Sequence, residues 1–128
     1  MTRVLLITVA GALGTLSRYG VGLWAGKALG TSFPYGTLIV NVSGCFLIAL
    51  VSRLALSTDL ISPTLRLTLT TGFMGGLTTY SSFNYETTNL LRERGLAVGL
   101  TNVAVTLLAC FLAGGLGLWV AAKLAGES

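Results

Sequence analysis

The sequence predicts an all-α membrane protein of four transmembrane helices, the third broken mid-membrane, paired as an antiparallel, dual-topology homodimer. The composition comes first. The chain has 128 residues, 53% of them hydrophobic and only 9% charged, with a mean hydropathy of +0.83. A soluble domain carries charge on about a quarter of its residues, so the core here is built against lipid. The second observation is four apolar segments, at residues 4–26, 35–56, 65–91 and 96–124, each meeting the roughly 20 residues that a spanning helix needs. The third is an interruption inside the third segment, where residues 72–86 combine glycines, hydroxyls, aromatic rings and a carboxylate. An unsatisfied backbone polar group costs several kcal/mol in hydrocarbon, so such a break must be buried in protein or line a wet cavity.

The first segment is too long for a cleavable signal, and Arg18 lies inside it, far from a signal's charged start. Its Gly22 and Gly26 form a small-xxx-small pair suited to close helix contact. In the second segment Thr37, Asn41 and Cys45 recur every four residues and share one face. The third segment is expected to unwind near residues 75–79, with Tyr80 and Phe83 on one face where helix resumes. The fourth carries a polar stripe of Asn102, Thr106 and Cys110, and a ladder of small residues at Ala109, Ala113, Gly117 and Ala121. Short loops at 27–34, 57–64 and 92–95 join the spans into one domain over residues 1–128.

Charge placement bears on assembly. With four spans, the side holding both termini carries Arg3, Arg53, Arg66 and Lys123. The other side carries Lys27, Arg92 and Arg94, plus Arg18 if it reaches that interface. Orientation follows the Lys/Arg bias of short loops, and here there is almost none. Insertion in both orientations permits pairing about a two-fold axis in the membrane plane; the alternative is one orientation set by a single residue or a partner protein.

Several chemistries are excluded. The basic residues are scattered singly in a chain of net charge +4, which gives no nucleic-acid footprint. There is no His, and of Asp59, Glu86, Glu93 and Glu127 only Glu86 falls in a span. No nucleophile–base set or metal-ligand spacing exists, so no enzyme is expected. Cys45 and Cys110 lie inside spans, where small apolar filler is the default role. What remains is a path lined by hydroxyls, amides and rings. Ser, Thr and Asn donate hydrogen bonds to anions, and an aromatic ring presents a positive edge and a negative face. Arg18 and Glu86 stand at or near membrane depth, where a charge needs a partner, a cavity or snorkelling.

The stretch Gly75-Gly76-Leu77-Thr78-Thr79-Tyr80-Ser81-Ser82-Phe83, followed by Glu86, closely resembles the third-helix signature of the Fluc (CrcB) fluoride channels. Residues 34–41 resemble that family's second-helix start, and Gly11-Ala12-Leu13-Gly14 with Arg18-Tyr19 its first helix. The resemblance implies a passive fluoride channel in the cell's inner (plasma) membrane, built as an antiparallel dimer with two pores and a structural sodium ion at its centre. It implies a fluoride path along Asn41, Tyr80, Phe83, Ser81, Ser82, Thr37 and Thr106. It implies sodium held by the backbone carbonyls of Gly75 and Thr78, and places Arg18 and Glu86 as structural or vestibule charges. Tyr80 departs from the pattern, because the first aromatic of the pair is usually Phe. A proton-coupled multidrug exporter also has four spans and antiparallel pairing, but it uses a carboxylate in the first span, where this chain has Arg18. A structural membrane subunit without transport is the third reading.

Overall fold

The computed structural model describes residues 1–126; Glu127 lies outside the described residues. Among the described residues, three helices are long and apolar enough to cross a membrane: α1 (Thr2–Ala28), α2 (Tyr35–Ser57) and α6 (Leu96–Leu124). Between α2 and α6 the chain runs through four shorter pieces: α3 (Pro63–Leu67), a π-helical stretch (Thr68–Met74), α4 (Gly75–Leu77) and α5 (Tyr80–Arg94). Two long-range hydrogen bonds fix the extent of this broken segment. Arg3 Nε donates to Thr64 Oγ1 (3.1 Å) at the start of α1, and Arg94 Nη1 donates to the Ser32 carbonyl (2.8 Å) just beyond its end. The broken segment therefore runs the full length of α1.

Local chemistry sets the ends. α1 stops where Gly30 takes φ +85°, and Pro34 precedes α2. Ser62 caps α3, its Oγ accepting from the Leu65 N–H (3.2 Å), with Pro63 in the first helical position where a missing N–H costs nothing. The expected loop at 92–95 shrinks to Gly95 alone. Its φ of +91° and ψ of 171° lie in a region essentially restricted to glycine, which allows the chain to turn between two helices at one residue.

Packing follows the small residues. Against α2, α6 lays its ladder: Ala121 is fully buried, and a Cβ on Gly117 would overlap the Phe46 carbonyl oxygen and sit 3.1 Å from Ala49 Cβ. Against the broken segment, α1 uses Gly11 and Gly14. A Cβ on Gly14 would overlap the Phe73 carbonyl oxygen, and one on Gly76 would overlap that of Gly11. The pair singled out in the first span behaves differently. Gly22 receives only Gly36, and nothing lies within 4 Å of a Cβ on Gly26. The interior is polar for its size, with Thr79, Thr87, Asn102 and Thr106 buried, while Leu13, Leu16, Phe111, Leu112 and Trp119 face outward. The outward apolar side chains suit a protein whose surroundings are hydrocarbon.

Candidate functional site

The break lies at Thr78 and Thr79, both in extended conformation (φ, ψ of −84°, 156° and −153°, 116°) between α4 and α5. A neighbouring helix repairs it. Asn41 on α2 accepts the Thr79 N–H at its Oδ1 (2.8 Å) and donates its Nδ2 to the Thr79 carbonyl (3.1 Å). One side-chain amide thus stands in for both halves of a peptide partner. Thr79 then caps α5: its Oγ1 accepts from the Ser82 N–H (3.1 Å), donates to Ser82 Oγ (3.0 Å) and lies 3.3 Å from Ser81 Oγ.

These bonds release two carbonyls. In a continuous helix the Thr79 N–H would serve the carbonyl of Gly75, and the Ser82 N–H that of Thr78. Both donors are engaged elsewhere. Gly75 and Thr78 therefore present oxygens free of helical pairing, and neutral carbonyl oxygens of unwound membrane helices are suited to sodium. On the other side of the break, the N-terminus of α5 offers unpaired N–H groups and the positive end of a helix dipole.

Around the break lie three cavities. One, of about 350 Å³, is lined by Asn41, Tyr80, Phe83 and Thr106 together with Gly75 and Thr78. A second, of about 430 Å³, is lined by Arg18, Thr37 and Ser82, with Thr79 common to it and the first. The third, of about 410 Å³, includes Thr37 and Glu86 and extends to Glu93 and Arg94 at the end of α5. Every residue expected in the site except Ser81 lines one of the three; Ser81 is exposed beside the Thr79 hydroxyl. Phe83 is buried and Tyr80 is 79% exposed, their ring centroids 5.9 Å apart at 50°. The two aromatics thus differ sharply: Phe83 belongs to the interior and Tyr80 projects from the chain.

Thr37 Oγ1 donates to Glu86 Oε1 (2.8 Å), and Glu86 Oε2 is buried with no hydrogen-bond partner among the described residues. Across the α5–α6 interface, Thr106 Oγ1 donates to Asn102 Oδ1 (3.4 Å), Asn102 Nδ2 to Thr87 Oγ1 (2.8 Å), and Thr87 Oγ1 to the Phe83 carbonyl (2.7 Å). This relay anchors the turn that carries Phe83. The stripe on α6 is therefore both glue and lining: Asn102 binds helices together while Thr106 reaches the cavity.

Residues 5–118 match the family described as CrcB-like protein, Camphor Resistance (CrcB). The chain belongs to the CrcB family. It is 53% identical over 124 residues to a protein of Sorangium cellulosum (strain So ce56), covering 97% of this chain and 98% of that one. It is 46% identical to a protein of Geotalea uraniireducens (strain Rf4) and 44% identical to one of Citrifermentans bemidjiense, in each case over 97% of this chain and all of the relative. Each of the three is named fluoride-specific ion channel FluC.

Thr79 is the residue of this CrcB chain that sequence reasoning passed over, although its spacing from Ser82 matches a helix cap. Substituting Thr79 by alanine is expected to cost about 1–2 kcal/mol, the usual loss for a threonine cap, and serine should recover most of it. Thermal unfolding of the detergent-solubilised protein measures both; an alanine variant as stable as its parent would remove Thr79 from this role.

Proposed function

We propose that this chain is a passive, fluoride-selective channel of the cell's plasma membrane, and not an enzyme, exporting fluoride that accumulates in the cytoplasm. The supporting observation is the break itself, where Asn41 holds Thr78 and Thr79 extended and leaves the start of α5 beside the cavity of Phe83, Asn41 and Thr106. Relatives named as fluoride channels over nearly the whole chain support the same reading.

The mechanism follows from what replaces water around a small anion. Ser82 accepts from Thr79 and keeps its own proton to donate along the route beside Ser81. The Asn41 amide retains a second N–H, and the Phe83 edge supplies weak positive potential. Thr37 and Thr106, whose single protons go to Glu86 and Asn102, line the route and donate to the ion on turning from those partners. The α5 N-terminus adds a fixed dipole of favourable sign. Arg18 raises the local anion concentration at the second cavity. Thr37 ties down one oxygen of Glu86, restraining a carboxylate that would otherwise repel the permeating ion. In acid surroundings neutral hydrofluoric acid crosses lipid and dissociates inside, so a passive pore needs no energy source.

The chain is read as one membrane domain with four crossings, and two antiparallel copies complete the channel with two pores. The nearly balanced basic residues at its two ends support dual insertion, and Tyr80, exposed on the single chain, is open to contact with a second copy. Gly75 and Thr78 carbonyls of both copies would hold sodium, which, when bound, supplies a fixed positive charge between them.

The reading is tested by efflux from liposomes loaded with fluoride or with chloride. Fluoride alone should leave quickly; chloride efflux at an equal rate would end the proposal. Substituting Phe83 by leucine keeps most of the volume and removes the ring edge. If that edge lowers the barrier by about 1.4 kcal/mol, fluoride efflux falls roughly tenfold, while the elution profile stays that of the parent. Unchanged efflux would assign Phe83 to packing alone.

A further inference from the structure

Cys45 lies one turn beyond Asn41 on α2, and Cys110 one turn beyond Thr106 on α6. The two helices are close here: a Cβ on Gly114 would lie 3.9 Å from the Cys45 carbonyl oxygen, and one on Gly117 would overlap that of Phe46. The two thiols are close enough to influence one another, both are free and partly buried, and both line the cavity that holds Phe83. Sequence alone made each an apolar filler; their adjacency comes from the α2–α6 packing.

The surroundings define what this pair can bind. No cluster of three or more His, Cys, Asp or Glu side chains exists among the described residues, so an ion between the thiols finds two thiolates and no third imidazole, thiolate or carboxylate. The other sulfur lining the cavity is the weaker Met74 thioether. Zinc prefers four ligands in a structural site. Soft ions that accept linear two-coordination fit, and charge separates them. Two thiolates on a monovalent ion leave a net negative charge in a low-dielectric site, which is costly. Two thiolates on a divalent ion leave none.

We propose that Cys45 and Cys110 form a two-thiolate site for mercuric ion, and that its occupation closes the cavity beside Phe83. The exchange is balanced without redox chemistry: neutral mercuric chloride and two thiols give a neutral bis-thiolate, two protons and two chloride ions. Both Hg–Cl bonds break as two Hg–S bonds form. The uncharged reagent can enter lipid, so the depth of the pair is no barrier. The closure rests on the proposed fluoride route; the binding does not.

Two readouts separate these claims. Intact-mass and elemental analysis of protein treated with mercuric chloride should give one mercury per chain, with two protons lost, no chloride retained and resistance to a monothiol wash. Cys45→Ser and Cys110→Ser should each bind mercury through one sulfur, keep a chloride or thiol co-ligand, and lose the metal in the same wash. Fluoride efflux of treated parent liposomes should fall about tenfold or more against their own untreated rate and return with a dithiol chelator. The Cys45→Ser/Cys110→Ser double variant should show no such change. Two mercuries per chain, one shared between two chains, or one removed as easily as from the single variants would overturn the site. A bridged mercury with undiminished efflux would keep the site, and would overturn both the closure and a fluoride route past Phe83.

Discussion

Replacing Gly14 by alanine is expected to abolish the stable folded protein, although it adds a single methyl group to a helix. The added Cβ would overlap the Phe73 carbonyl oxygen and lie 2.9 Å from the Leu77 nitrogen. Both obstacles are backbone, so no side-chain rotation relieves them. The reciprocal position is equally closed, since a Cβ on Gly76 would overlap the Gly11 carbonyl and lie 3.0 Å from the Thr15 nitrogen. Relief requires α1 to move away from the broken segment along much of its length. Overpacking typically costs about 1–3 kcal/mol where side chains can adjust; here it should reach or exceed the top of that range. In lipid the loss is harder to offset, because helix association rests on close packing and interhelical hydrogen bonds. Gly20→Ala is the control, since nothing lies within 4 Å of its added methyl. Yield, elution profile and melting temperature in detergent decide the matter. A Gly14→Ala protein that behaves like Gly20→Ala would show that α1 is not seated on the broken segment in this way.

The same contact explains what could and could not be read from the sequence. Composition and apolar run length located the long helices and the interrupted segment, because hydrocarbon forces a chain to choose between continuous helix and protected break. Small residues were also visible, but not which of them matter. Gly22–Gly26 has the small-xxx-small spacing and Gly11–Gly14, three residues apart, does not, yet only the third dimension shows that the latter pair meets backbone. The π-helical stretch at Thr68–Met74 was invisible for a related reason. It widens each turn by one residue, and its sequence, rich in threonine, carries no mark of that choice; π-turns occur frequently at functional sites, and this one ends at Gly75. At the site, residue types suggested a lining of hydroxyls, amides and rings. The partners of those groups were not legible, since Thr37–Glu86 and Asn41–Thr79 are 49 and 38 residues apart. Nor was the divergence of Tyr80 from Phe83, which depends on where α5 restarts.

Asn41 carries the largest expected effect at the site, and its substitutions separate two roles that one side chain combines. Asn41→Leu is close in volume and removes both hydrogen bonds to Thr79. Leaving one buried donor or acceptor unpartnered costs about 1–3 kcal/mol, so losing both should cost about 2–6 kcal/mol. The chain has one local escape: the Thr79 N–H can return to the Gly75 carbonyl and close the break into continuous helix. That closure would withdraw an oxygen from the proposed sodium site and turn the start of α5, so fluoride efflux should fall to background whether the protein unfolds or heals. Asn41→Asp distinguishes the bonds, since an ionised carboxylate still accepts from the Thr79 N–H but repels the Thr79 carbonyl and any anion near it. Its stability should lie between leucine and the parent, with efflux equally lost. Hydrogen exchange at the Thr79 amide follows the backbone directly, and should accelerate in the leucine variant unless the break has closed. If Asn41→Leu keeps the parent's melting temperature and its Thr79 protection while losing efflux, Asn41 serves only the ion. The break would then have to be held open by the Thr79–Ser82 cap and by the packing of Thr78 against Gly44, where a Cβ on Gly44 would overlap Thr78 Cγ2.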